Sequence, residues 1–113
     1  MRFKNSMQAS FDISALEGRW SGKAERDAVL VGLELDVDWN GFVSGSGVRA
    51  VWNKSGQGRI TGGGSFTFIS GSSQVVSSAE WDLKINDNGR EITGILRVMH
   101  SRFGRLNVNL KHR

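Results

Sequence analysis

Val31-Gly32-Leu33-Glu34-Leu35-Asp36-Val37-Asp38 sets an apolar side chain at every second position over eight residues. A period of two belongs to a strand with one buried and one wet face, because successive side chains leave opposite sides of the pleat. A helix would need a repeat near 3.6. Trp81, Leu83 and Ile85 against Asp82, Lys84 and Asn86 repeat the pattern. Leu106, Val108 and Leu110 against Asn107, Asn109 and Lys111 do so again.

Working outward from these segments, strands are predicted near 17–25, 29–38, 42–53, 57–62, 64–70, 76–86, 90–100 and 104–112. The separators are Asn40-Gly41, Ser55-Gly56, Gly62-Gly63-Gly64, Gly71-Ser72-Ser73 and Asn88-Gly89, all turn-forming combinations. Short strands without a long crossover imply an all-β chain: a single eight-stranded antiparallel up-and-down (meander) β-barrel, whose closure removes both exposed edges. Residues 1–15 read as a polar N-terminal arm and 16–113 as the barrel domain, with a 3₁₀ piece expected from Asp12 to Leu16.

Composition agrees. The 113 residues fit one domain, with 15 Gly, no Pro and few helix candidates, which suits sheets with many tight turns. There is no Cys, so disulfides and thiolate metal sites are excluded. The opening Met1-Arg2-Phe3-Lys4-Asn5-Ser6 leads into no apolar run, so neither a signal peptide nor a membrane span is expected. A cytoplasmic location is expected, and a secreted mature form is compatible with the same residues. The formal charge is +4, an excess small enough to read as a basic surface rather than a nucleic-acid footprint.

Two hairpins carry register information. A two-residue type I′ turn at Asn88-Gly89 would set Ile85 opposite Ile92 and Trp81 opposite Leu96, apolar against apolar. At Asn40-Gly41 two readings stay open. A two-residue turn points Phe42, Ser44, Ser46 and Val48 inward. A three-residue turn, Trp39-Asn40-Gly41, points Val43, Gly45, Gly47 and Arg49 inward. The choice decides whether serines or an arginine line the barrel.

Leu16-Glu17-Gly18-Arg19-Trp20 resembles the Gly-x-Trp opening of lipocalin-like and avidin-like barrels, the calycin group. The resemblance implies that Trp20 plugs the closed end, with Lys111 or Arg113 packed across it. Gly41-Phe42-Val43-Ser44-Gly45-Ser46-Gly47 and Val108-Asn109-Leu110-Lys111-His112-Arg113 are similar to the second hairpin and the ending of avidin-type proteins. Together these stretches cover about a third of the chain. The resemblance implies ligand contacts from Arg49, Trp81 and Asn109, and it favours the three-residue turn. Where avidins carry a biotin-binding Tyr and then a hydroxyl, this chain has Gly47 and Arg49, and it has no Tyr; biotin is not the expected ligand. Gly18-Arg19-Trp20-Ser21-Gly22 also looks like the opening of nitrobindin-like haem barrels, but Arg105 stands near their axial His, so haem is not expected.

Few constellations point to chemistry. Glu34, Asp36 and Asp38 form an acidic ladder about 6.5–7 Å apart, but on a wet face, where ion pairs with Arg19 and Lys23 are expected. His100 and His112, the two histidines, lie in no triad pattern. The glycine runs lack a P-loop Lys-Ser/Thr. Trp20 and Trp81 fall on inward positions, whereas Trp39 and Trp52 could rim a mouth or, beside Lys54, stack bases. No enzyme activity, cofactor or metal is expected. The leading expectation is a barrel that binds a small apolar or anionic ligand, not biotin, in its open end. The alternative is a filled barrel acting through its outer surface as an interaction or inhibitor domain, or as a homo-oligomer; exposed Phe42, Val48, Ile95 or Met99 would mark it. Neither nucleic acid nor membrane is the expected partner.

Overall fold

The computed structural model describes residues 13–113, so the arm read at 1–15 lies almost wholly outside the described residues. A 3₁₀ turn at Ile13–Leu16 precedes eight strands: β1 Gly18–Arg26, β2 Val29–Val37, β3 Phe42–Gly45, β4 Val48–Lys54, β5 Arg59–Ser70, β6 Ser73–Ile85, β7 Glu91–Val98 and β8 Gly104–His112. Each pairs antiparallel with its sequence neighbours, and β1 pairs with β8 to close the barrel. The fold is therefore the expected closed meander. Among the described residues no helix is long and apolar enough to cross a membrane.

The alternating segments sit as their periods require. Leu33, Leu35 and Val37 are buried while Glu34, Asp36 and Asp38 are exposed, and Trp81, Leu83, Leu106, Val108 and Leu110 point inward. Trp20, Trp52 and Trp81 all lie in the core. Each indole removes roughly 150–250 Å² from water, worth roughly 4–6 kcal/mol at about 25 cal/mol per Å².

Two features of the sequence reading need correction, and they offset each other in the strand count. The segment read as one strand from 42 to 53 is a hairpin. Ser46 and Gly47 form a two-residue turn with φ of 52° and 80°, and Gly45 pairs with Val48. Ser46 Oγ secures the turn by accepting from the Glu34 N–H at 2.8 Å. Conversely, Gly62-Gly63-Gly64 is no turn but the middle of the continuous β5. Gly62 and Gly64 occupy inward-register positions of the strand, where a β-carbon would collide with the carbonyl oxygens of Val51 and Arg49. Gly62 also stands between Trp52 and Trp81 in cross-strand register, leaving their rings to meet edge-on at 5.3 Å over it.

The turn at Trp39 resolves in favour of three residues. Val37 pairs with Val43, the Asp38 N–H donates to Phe42 O, and Gly41 has φ 91°. The Asp38 carboxylate decides it by accepting from the backbone N–H groups of Asn40 at 2.8 Å and Phe42 at 3.0 Å. At Asn88-Gly89 the predicted register holds, with Ile85 opposite Ile92 and Trp81 opposite Leu96. The turn is wider than type I′, because of these two residues only Gly89 has a positive φ. Asn86 Oδ1 accepts from the N–H groups of Arg90 and Glu91, stabilising the longer loop.

Candidate functional site

The ends of the barrel are both occupied. At one, Trp20 is fully buried and donates from Nε1 to Leu16 O at 2.8 Å. The basic side chain across it is neither Lys111 nor Arg113 but His112, edge-on at 4.7 Å. Arg113 lies outside, donating to Ser21 Oγ at 3.0 Å and facing Glu34 at 3.4 Å. At the other end Phe66, Phe68 and Phe103 pack together, with Arg102 over Phe68 and Phe103 and its guanidinium donating to Ile69 O. His100 accepts from the Arg102 N–H and meets Phe68 edge-on. Both histidines thus have structural work.

Of the residues expected to share a ligand site, only Trp81 is inside. Arg49 faces outward because the Ser46-Gly47 turn resets the alternation between β3 and β4. Asn109 is exposed and donates to Glu91 at 3.3 Å. The three do not come together. Trp52, considered for a rim or base-stacking role, is fully buried, whereas Trp39 is 63% exposed at its turn. The interior instead brings Trp52 to Trp81, and neither indole N–H has an acceptor among the described residues.

The acidic ladder is spoken for. Asp36 pairs with Arg19 at 3.0 Å, Glu34 with Arg113, and Asp38 caps its turn. The hydrogen bond to Asp36, then that carboxylate's charge, raises the Arg19 pKa above its ordinary value. Lys23 pairs with Glu25 rather than with the ladder. Among the described residues no cluster of His, Asp and Glu could hold a metal ion.

A different constellation lies on the outer wall. Register places six outward residues in one row across neighbouring strands: Phe42 opposite Val51, Val51 opposite Gly63, Gly63 opposite Glu80, Glu80 opposite Arg97, and Arg97 opposite Arg105. At about 4.8 Å per strand, the row runs roughly 24 Å from an apolar end to a cationic end. Phe42 is 55% and Val51 39% exposed. Beside them is an open depression of about 360 Å³ lined by Phe42, Arg49, Val51, Gly63 and Gly64. A second, of about 460 Å³, is lined by Gly63, Glu80, Asp82, Ile95, Arg97 and Arg105. The two meet at Gly63. Arg97 reaches Glu80 at 3.7 Å, Asp82 is paired with Arg59 at 3.3 Å, and Arg105 makes no hydrogen bond or ion pair among the described residues. Sequence reading missed this row because it is a product of five successive registers. Its one local signal is a glycine in the middle of a strand.

The described residues define an eight-stranded antiparallel meander barrel, consistent with a calycin-like architecture. No protein-family model, curated protein or solved structure matches the chain. Its function therefore rests on the site itself.

Proposed function

We propose that this chain is a non-catalytic recognition barrel, of the lipocalin- and avidin-like kind, that engages a polypeptide partner through its outer wall. The observation that carries the reading is the Phe42-to-Arg105 row. It joins exposed large apolar side chains, a glycine-floored depression and a guanidinium unpaired among the described residues along one row of the outer wall. Exposed aromatic and arginine side chains are what interface centres are enriched in. The interior supports it from the other side, since the core is lined by apolar residues from every strand and both ends are plugged. Of the four markers considered, Phe42 and Met99 are exposed and Ile95 is partly so, whereas Val48 is buried. The Gly18-to-Trp20 opening, with Trp20 sealing an end, supports the kinship.

Native mass spectrometry of the protein purified from its own host tests the reading. A polypeptide adduct that disappears in the double variant Phe42→Ser/Val51→Ser is expected. A retained small molecule with no polypeptide adduct would overturn it.

A second reading has one specific observation behind it. Trp52 and Trp81 bury two indole N–H donors without an acceptor, and an unsatisfied buried donor costs about 1–3 kcal/mol. In that reading a small acceptor-bearing guest meets the indole N–H groups inside the barrel. The same spectrum tests it, because the guest would be released on unfolding as a discrete small mass.

A further inference from the structure

We propose that the partner of the outer wall is an acidic polypeptide segment lying across the strands, its carboxylates on Arg97 and Arg105 and an apolar side chain in the groove of Phe42 and Val51. This rests on the outer-wall reading and names the chemistry of its partner. Arg97 and Arg105 face each other in register on adjacent strands, where like charges are destabilising. One carboxylate, Glu80, stands at 3.7 Å from Arg97, and none among the described residues pairs with Arg105. A carboxylate laid over the pair supplies the missing charge and matches the planar guanidinium fork.

The second, independent observation is Gly63. Its neighbours Gly62 and Gly64 are glycines because a β-carbon would strike the next strand. At Gly63 a β-carbon would find nothing nearer than the Ala79 carbonyl oxygen at 3.7 Å, and the backbone is not left-handed. Among the strand glycines this freedom is shared only with Gly32 on β2. A strand glycine that neither space nor φ requires, at the junction of two depressions, suits close approach of another backbone. From Arg105 to Val51 the row spans four strand spacings, roughly 19 Å along the backbone, which over the outside of the curved wall takes at least about six extended residues.

Competing occupants fit less well. Glu80 and Asp82 share the cationic depression and repel a continuous phosphate chain, which a nucleic acid would bring. A second copy related by a two-fold at Gly63 would set Phe42 against Arg97 and Val51 against Glu80, apolar against charged.

The test is fluorescence anisotropy with a synthetic peptide carrying paired glutamates at one end and a leucine–phenylalanine pair about five residues on. Binding that weakens with added salt is expected. Replacing the peptide's glutamates with glutamines, or the chain's arginines in Arg97→Gln/Arg105→Gln, should lower affinity about tenfold or more. Glu80→Gln, which removes the competing carboxylate, should tighten it several-fold. Gly63→Val should abolish it with the circular dichroism spectrum and melting temperature retained. Equal binding of glutamate and glutamine peptides through Phe42 and Gly63 overturns the acidic partner but leaves the outer-wall reading standing. Absence of peptide binding at millimolar concentration, or tighter binding of a single-stranded oligonucleotide to the arginines, overturns the proposal. So does self-association that Phe42→Ser removes.

Discussion

The outer face of β2 and the row from Phe42 to Arg105 are both exposed and both charged, yet they are built to opposite ends. On β2 and the turn that follows it the three carboxylates are each matched, Glu34 to Arg113, Asp36 to Arg19 and Asp38 to the turn it caps. That face is electrostatically closed. Along the row two arginines oppose each other with one carboxylate beside Arg97, and an unforced glycine and exposed Phe42 follow farther along it. Charge density alone does not separate a solvated face from a recognition face. What separates them is whether the protein has already satisfied its own charges, because an unforced glycine, Gly32, stands on β2 as well.

The largest expected effect contrasts two adjacent glycines. Gly62→Val drives a side chain into the Val51 carbonyl and should cost at least about 3 kcal/mol, or prevent folding, as overpacking against backbone does. Gly63→Val should leave stability unchanged or raise it by up to about 1 kcal/mol through β-propensity. Urea unfolding of both variants reads the difference, and equal losses would erase the distinction on which the partner argument leans. Next in size, Asp38→Ala removes two charge-assisted hydrogen bonds from the Trp39–Gly41 turn and should cost about 1–2 kcal/mol, measured by the same transition.

The smallest effects have opposite signs on the two faces. Asp36→Asn loses an exposed ion pair with Arg19 and should destabilise only slightly. Arg105→Gln relieves a like-charge pair and should stabilise by a similar amount. Raising salt should shrink both differences. A destabilised Arg105→Gln would mean that the arginine already has structural work, and the face would then be as closed as β2.

The segments that announced themselves in the sequence were those with long, uninterrupted alternation: β2, the C-terminal half of β6, and β8. There the hydrophobic period alone fixes which side chains go in. The β6–β7 register was legible although its turn was not, since Ile85 and Ile92 can meet across loops of different length. The β3–β5 region was misread because glycine carries two opposite messages. Ser46-Gly47 is a turn hidden in a Ser-Gly repeat, whereas Gly62 to Gly64 is a strand bending around the core. What tells them apart is φ, which is left-handed at Ser46 and Gly47 and not at Gly62 to Gly64. The site inherited that ambiguity. Arg49 moves from interior to exterior with the unforeseen hairpin, and Asn109 follows the alternation of β8 rather than the position implied by family likeness. Trp81 was placed inside correctly because its alternation with Leu83 and Ile85 was unbroken. The outer row needed every register from β3 to β8 and could not be read from any one segment.

Backbone and indole ¹H–¹⁵N spectra of the chain, recorded as the acidic peptide is added, put the account at most direct risk. Shifts centred on the amides of Val51, Gly63, Glu80, Arg97 and Arg105, with the Trp52 and Trp81 indole signals still, are the predicted result. Movement of those two indole signals over an unperturbed outer row would place the binding inside the barrel and contradict it.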